Sequence, residues 1–97
     1  NKIMDTVVVN LFKNKYDVYI GRAGKGQDGY FGNPFPLKPG EPRGATIERY
    51  KEYFGNKIDN DPIFKARILE LKGKTLGCFC KPNSCHGDII AEYLNNL

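Results

Sequence analysis

Residues 21–43 read GRAGKGQDGYFGNPFPLKPGEPR, and no regular element can be laid across them. Glycine or proline takes nearly every second position, so the backbone there is either too free or lacks the N–H that a helix or ladder needs. In a chain of 97 residues this loop divides the regular segments into a strand-rich part before it and a helix-rich part after it. A structureless loop of such length in so small a domain is more often functional than idle.

Before the loop, VVVN at 7–10 and YDVYI at 16–20 are β-branched and aromatic runs separated by polar LFKNK. They read as two strands, and their closeness suggests a hairpin. After it, Ile47, Tyr50, Tyr53 and Phe54 recur at helical spacing opposite Glu48, Arg49, Lys51 and Glu52, with Gly55 placed to end the helix. Asp61 and Pro62 form an N-cap and first-turn pair for a second helix, striped by Phe64, Ile68 and Leu71 and stopped by Gly73. KTLGCFC at 74–80 reads as a third strand, and DIIAEYLNNL as a closing helix with Ile90, Leu94 and Leu97 on one face. The expectation is one small α/β or α+β domain over 1–97, with about three strands and three helices in the order ββ-loop-αα-βα.

Hydrophobic residues at 40% and charged residues at 27% fit a folded globular chain. No apolar run can cross a bilayer, and the start NKIMDTVVVN lacks the regions of a signal peptide. All three cysteines fall within residues 78–85, which suits reduced thiols better than a disulfide framework and points to the cytoplasm. The net charge of +4 favours anionic partners. Because the basic residues are dispersed, a small anionic ligand fits better than nucleic acid, and no membrane partner is expected.

Gly24, Gly26 and Gly29 formally match GxGxxG, but the pattern runs into YFGNPFPLKPG instead of a helix, so a dinucleotide-binding unit is excluded. Arg22 directly follows a strand end, where α/β sheets place binding residues. Asn33, Pro34 and Phe35 set an amide, a fixed φ and a ring side by side. Asn-Pro can equally be an ordinary turn with Phe35 in the core. Arg43, just before the first helix, can clamp phosphate or stay solvated.

The segment CFCKPNSCHGD, residues 78–88, holds every cysteine and the one histidine. Cys78 and Cys80 leave the same face of a strand, while Cys85 and His86 lie where the chain turns into the closing helix. Zinc accepts three thiolates and an imidazole, so Cys78, Cys80, Cys85 and His86 form an alternative metal set. Their spacing differs from paired C-x-x-C knuckles, and neighbouring residues seldom point at one ion. No cofactor is therefore the primary expectation, with zinc as the alternative. If the chain is an enzyme, Cys85 is the candidate nucleophile, since a helix N-terminus favours the thiolate, and Asp88 the candidate base or cap. Buried packing is the plain alternative for Cys78 and Cys80. Gly87 in the first turn of a helix suggests that something needs the space, and an anionic ligand at residues 85–88 is the reading preferred here.

DVYIGR (17–22), GNPF (32–35), Arg43 opening a helix that carries Tyr50, and GKTLGCFCKPNSCHGD (73–88) together resemble a family of small domains found widely in bacteria and their phages. The resemblance runs from about Tyr16 to Leu94. Phe79 stands where the family often has tryptophan, which keeps an aromatic in place. The family has no settled activity. Its occurrence in phages implies a role in the host cytoplasm such as sequestering or degrading a nucleotide-type defence signal.

The expected function is thus binding of a nucleotide-like anionic ligand by Arg22, Asn33, Phe35, Arg43, Cys85, His86, Gly87 and Asp88. Phosphate or ribose is placed at the helix start and Arg22, and the base near Phe35 or Tyr30. The alternatives are a thiol- or carboxylate-dependent hydrolase or transferase acting on a nucleotide, and a zinc-stabilised interaction module. A chain this short can borrow pocket walls from a second copy, so a homo-oligomer is compatible with the sequence.

Overall fold

Strand, helix and turn fall largely where the residue patterns put them, but the strands are joined in an unexpected way. The computed structural model describes residues 5–24, 26–36, 38–81 and 83–97. Its elements are β1 (Val7–Asn10), β2 (Val18–Tyr19), α1 (Arg43–Asn60), α2 (Pro62–Leu69), β3 (Thr75–Cys78) and α3 (Gly87–Asn95). Together they form a mixed α/β domain with a three-stranded sheet in the order β1-β3-β2.

Both pairings are parallel, with Val8 and Val18 each opposite Leu76. The expected hairpin is therefore corrected: β3 lies between β1 and β2. A hairpin needs a short loop that reverses the chain beside itself. Here Asn10 turns the chain out of the sheet instead, its Oδ1 accepting the Phe12 N–H and its carbonyl those of Lys13 and Asn14. The link then crosses β3. Leu11 N–H donates to Cys78 O at one end, while at the other Asp17 N–H donates to Thr75 O at 2.8 Å and Thr75 N–H to Asp17 Oδ2 at 2.9 Å.

The crossing is close enough to dictate a residue type. A Cβ on Gly77 would fall 2.6 Å from Tyr16 Cγ, so only glycine lets the Tyr16 ring lie flat on the strand. On the opposite face Leu76 and Cys78 point into the core with Ile20, and half-buried Val8 and Val18 pack against it. The helices cover that side. Tyr50 and Phe54 of α1, Phe64 and Ile68 of α2, and Ile90 and Leu94 of α3 complete the core. Phe54 stands edge-on to both Phe64 and Tyr93, a geometry aromatic rings favour.

Gly55 does not end α1, which continues to Asn60 because Phe54 and half-buried Ile58 extend its apolar side. Asp61 makes the break. Its N–H closes α1 on Lys57 O, its Oδ1 accepts the Phe64 N–H at 3.0 Å, and Pro62 cannot continue the preceding helix. Thr6 then ties the chain ends together: its N–H and carbonyl pair with the Asn95 amide, and its Oγ1 accepts the Gly73 N–H.

Gly55 has open space around its Cα and Gly77 has none. In urea unfolding, Gly55→Ala is expected to raise stability by roughly 0.5–1 kcal/mol, and Gly77→Ala to lower it by about 1–3 kcal/mol through overpacking. The Phe64 N–H holds the Asp61 carboxyl below its ordinary value. A depressed carboxyl contributes stability that is present above its unfolded pKa of about 4 and lost as pH falls through the folded value. The acid limb of a thermal-melt series should therefore flatten in Asp61→Asn, which keeps the cap, while Asp61→Ala lowers the midpoint at every pH.

Candidate functional site

In open α/β sheets the carboxyl ends of the strands form the crevice where ligands bind. At that edge here β1 ends in Asn10, β2 runs through Ile20 into Gly21 and Arg22, and β3 delivers Cys78 and then Phe79 and Cys80. Asn10 Nδ2 donates to Lys81 O at 2.7 Å, anchoring the loop that leads to α3. Lys81 Nζ pairs with Asp88 Oδ1, and Asp88 Oδ2 accepts the Cys85 N–H at 3.2 Å. Asp88 thus caps the turn it follows by three residues, as the spacing suggests, and both its oxygens are engaged.

This folding-back brings Cys78, Cys85 and His86 together, all buried. The two sulfurs lie 2.7 Å apart, and Cys85 Sγ is 3.6 Å from His86 Nδ1. Here the structure departs from the expectation that adjacent residues diverge. His86 sits in helical conformation at φ −58° and ψ −27°, and its Nε2 is fixed 2.6 Å from Ile20 O. A carbonyl can only accept, so Nε2 carries the proton and Nδ1 presents its lone pair toward Cys85. Tyr50 packs edge-on against the imidazole at 5.0 Å. Its hydroxyl is buried without a hydrogen-bond partner among the described residues.

The thiols are not equivalent. Donation from the Cys85 S–H pulls the Cys78 pKa down against the cost of burial, helped by the Cys80 backbone N–H and thiol and the Phe79 N–H. Sharing that proton, together with burial, pushes Cys85 up. In this arrangement a thiolate is favoured on Cys78 over Cys85. Burial also pushes His86 down, toward the neutral ring. Cys80 is half-buried and stands outside the close trio.

Gly87 has a different explanation from the one its position suggests. It is buried, and a Cβ there would lie 2.5 Å from Ile20 Cδ1 and 3.1 Å from Val8 Cγ1. The missing side chain lets α3 pack closely on the sheet.

Arg22 is exposed, and its guanidinium donates to Phe35 O at 2.8 Å. The Tyr19 hydroxyl donates to Arg22 O, also at 2.8 Å. Asn33 is buried and occupied within the chain, accepting the Phe35 N–H on Oδ1 and donating from Nδ2 to Thr46 O at 3.3 Å. GNPF is therefore a brace between the loop and α1, with the Phe35 ring edge-on to Tyr53. Arg43 opens α1, and its side chain lies outside the described part.

Three cavities meet at Arg22. The largest, about 470 Å³, is walled by Leu11, Phe12, Tyr16, Tyr19 and Phe79. A second of about 370 Å³ has Tyr30, Asn33, Pro34 and Tyr53 around it. The third, about 40 Å³, reaches inward to Asn33, Thr46, Cys78, Cys80 and His86. The sequence reading missed Phe12, Tyr16 and Tyr19 as a wall, because they share a surface only once the link crosses β3. Exposed rings in a polar segment, Phe12 between Leu11 and Lys13 above all, are the signal available for finding them.

These features define a small α/β domain with adjoining cavities and a thiol–imidazole cluster at one sheet edge. Residues 9–96 match the family described as Domain of unknown function (DUF4326), and the chain belongs to that family. It is 42% identical over 90 residues to the "Uncharacterized 12.4 kDa protein in nrdA-td intergenic region" of Enterobacteria phage T4, covering 93% of this chain and 78% of that protein. No solved structure matches it significantly. Among the described residues no helix is long and apolar enough to cross a membrane.

In a helix interior Gly→Ala is normally favourable. Here Gly87→Ala is expected to lower stability by about 1–2 kcal/mol in urea unfolding, because the new methyl meets buried Ile20. Restoration of stability by the double variant Gly87→Ala with Ile20→Val would confirm the contact as the cause.

Proposed function

We propose that this protein binds a small anionic ligand with a planar ring, of nucleotide type, in the aromatic cavity beside Arg22. The observation that carries this reading is the composition of that cavity: Phe12, Tyr16, Tyr19 and Phe79 face one space of about 470 Å³ whose rim holds an exposed guanidinium. Phe12 is 79% exposed and Phe79 49%, so these rings are on the surface and not spent in the core. A base stacked on such rings gains about 1–3 kcal/mol, and a guanidinium can grip phosphate through paired donors. In this reading the base stacks on Tyr16 and Phe79, across Arg22 from Phe35 and Tyr30.

The hydrolase alternative, with Cys85 or Asp88 as the reacting group, has less support, since Cys85 is fully buried with its thiol pushed up and Asp88 is held by Lys81 and the Cys85 N–H. Similarity to a phage T4 protein suits a role in infected cells. Binding without turnover there would sequester a host nucleotide signal.

Isothermal titration against nucleoside mono-, di- and triphosphates and cyclic nucleotides tests the proposal. Expected is saturable binding of one class, weakened about tenfold or more by Arg22→Ala and by Phe79→Ala, retained in Cys85→Ser, and without hydrolysed product by chromatography. Absence of binding across the panel, or binding indifferent to both substitutions, would overturn it.

A further inference from the structure

The geometry points to a divalent metal site, for zinc, formed by Cys78, Cys85 and His86. The three come from the end of β3 and the entry to α3, yet their ligand atoms all lie within 4.8 Å of one another and all three residues are buried. Two sulfurs and an imidazole nitrogen are the soft and borderline donors that select zinc over magnesium or calcium.

His86 is already set as a zinc-binding histidine is set. Its Nε2 donates to Ile20 O at 2.6 Å, which fixes the tautomer, holds the ring and leaves Nδ1 as the donor atom. The separation of Cys85 Sγ from Nδ1, 3.6 Å, matches the edge of about 3.5 Å that follows from tetrahedral bonds of about 2.3 Å to sulfur and 2.0–2.1 Å to nitrogen. The sulfurs at 2.7 Å are nearer than the corresponding sulfur–sulfur edge of about 3.8 Å. They also lie beyond the roughly 2.05 Å of a disulfide bond. Metal entry therefore parts them by about 1 Å, and both sulfurs bind as thiolates, any proton they hold passing to solvent.

The inner cavity of about 40 Å³ that Cys78 and His86 border, with Asn33, Thr46, Cys80 and Arg22 around it, leaves room for a fourth ligand. That volume holds a water molecule. Three protein ligands with one solvent position is the arrangement of reactive zinc sites, whereas closed structural sites use four. The Tyr50 hydroxyl, buried without a partner among the described residues on a ring packed against His86, is an orphaned polar group at the same cluster. This site differs from the sequence-derived set in leaving out Cys80.

The test uses the full chain purified under reducing conditions, stripped with chelator and titrated with cobalt(II), then with zinc in competition. Expected are one equivalent of metal per chain, thiolate-to-cobalt charge-transfer absorption with tetrahedral d–d bands, and displacement by zinc. Cys80→Ser should keep that spectrum, while Cys78→Ser, Cys85→Ser and His86→Asn each weaken binding by about tenfold or more. Circular dichroism separates lost ligation from lost folding, and the titration of the unsubstituted chain stands if a variant misfolds. The inference is overturned if the unsubstituted chain takes up no metal, if the cobalt spectrum lacks thiolate bands, or if Cys80→Ser loses metal as fully as Cys78→Ser. It is equally overturned if mass spectrometry finds Cys78 and Cys85 joined with loss of two hydrogens and reduction does not restore metal uptake.

Discussion

The link at residues 11–17 carries the chain over β3, and most of this structure depends on that crossing. Parallel neighbours normally need a crossover long enough to run back the length of a strand. Because β2 is only Val18–Tyr19 and starts opposite Leu76, this link has little distance to recover. It is held at both ends by β3 itself, through Cys78 O and through the reciprocal bonds of Asp17 with Thr75. The strand latest in sequence thereby becomes the centre of the sheet. Its end, Cys78, falls in the middle of the carboxyl edge.

Central placement has consequences on both faces. On one, Tyr16 lies over Gly77, and the link supplies the rings that wall the largest cavity. On the other, the chain leaving Cys78 must return immediately into α3, and the short return is what packs Cys85 and His86 against Cys78. Three small contacts make that turn tight: Asn10 to Lys81 O, Lys81 to Asp88, and Asp88 to the Cys85 N–H. Gly87 lets the new helix settle onto Ile20 and Val8. Ile20 in turn offers its carbonyl to His86, so the residue that fixes the helix also fixes the imidazole.

Much of this is local and therefore legible in the sequence. β-branched runs, helical stripes and the Asp61–Pro62 break depend on residues within a turn or two of each other, and they place the elements well. Strand direction is different, because it is decided by an insertion from far along the chain, such as the Thr75–Asp17 pairing across 58 residues. Gly55 misleads for a related reason: a glycine can stop a helix, but the apolar side of α1 continues past it to Ile58. Gly87 signals that space matters without saying whose, and the sheet claims it. The cysteine–histidine cluster is visible as a group, while the local rule that adjacent side chains diverge hides the meeting of Cys85 and His86. That rule yields because Ile20 O pulls the imidazole inward from another strand.

The thiol–imidazole cluster and the aromatic cavity are joined at two residues in this fold. Arg22 borders every one of the three cavities, and Phe79 borders both the aromatic cavity and the inner one. Phe79 follows directly on Cys78, and its N–H is among the donors to that sulfur. A change in the charge at Cys78 therefore acts on the peptide that carries the ring wall. The two features thus meet at a single peptide unit and a single guanidinium.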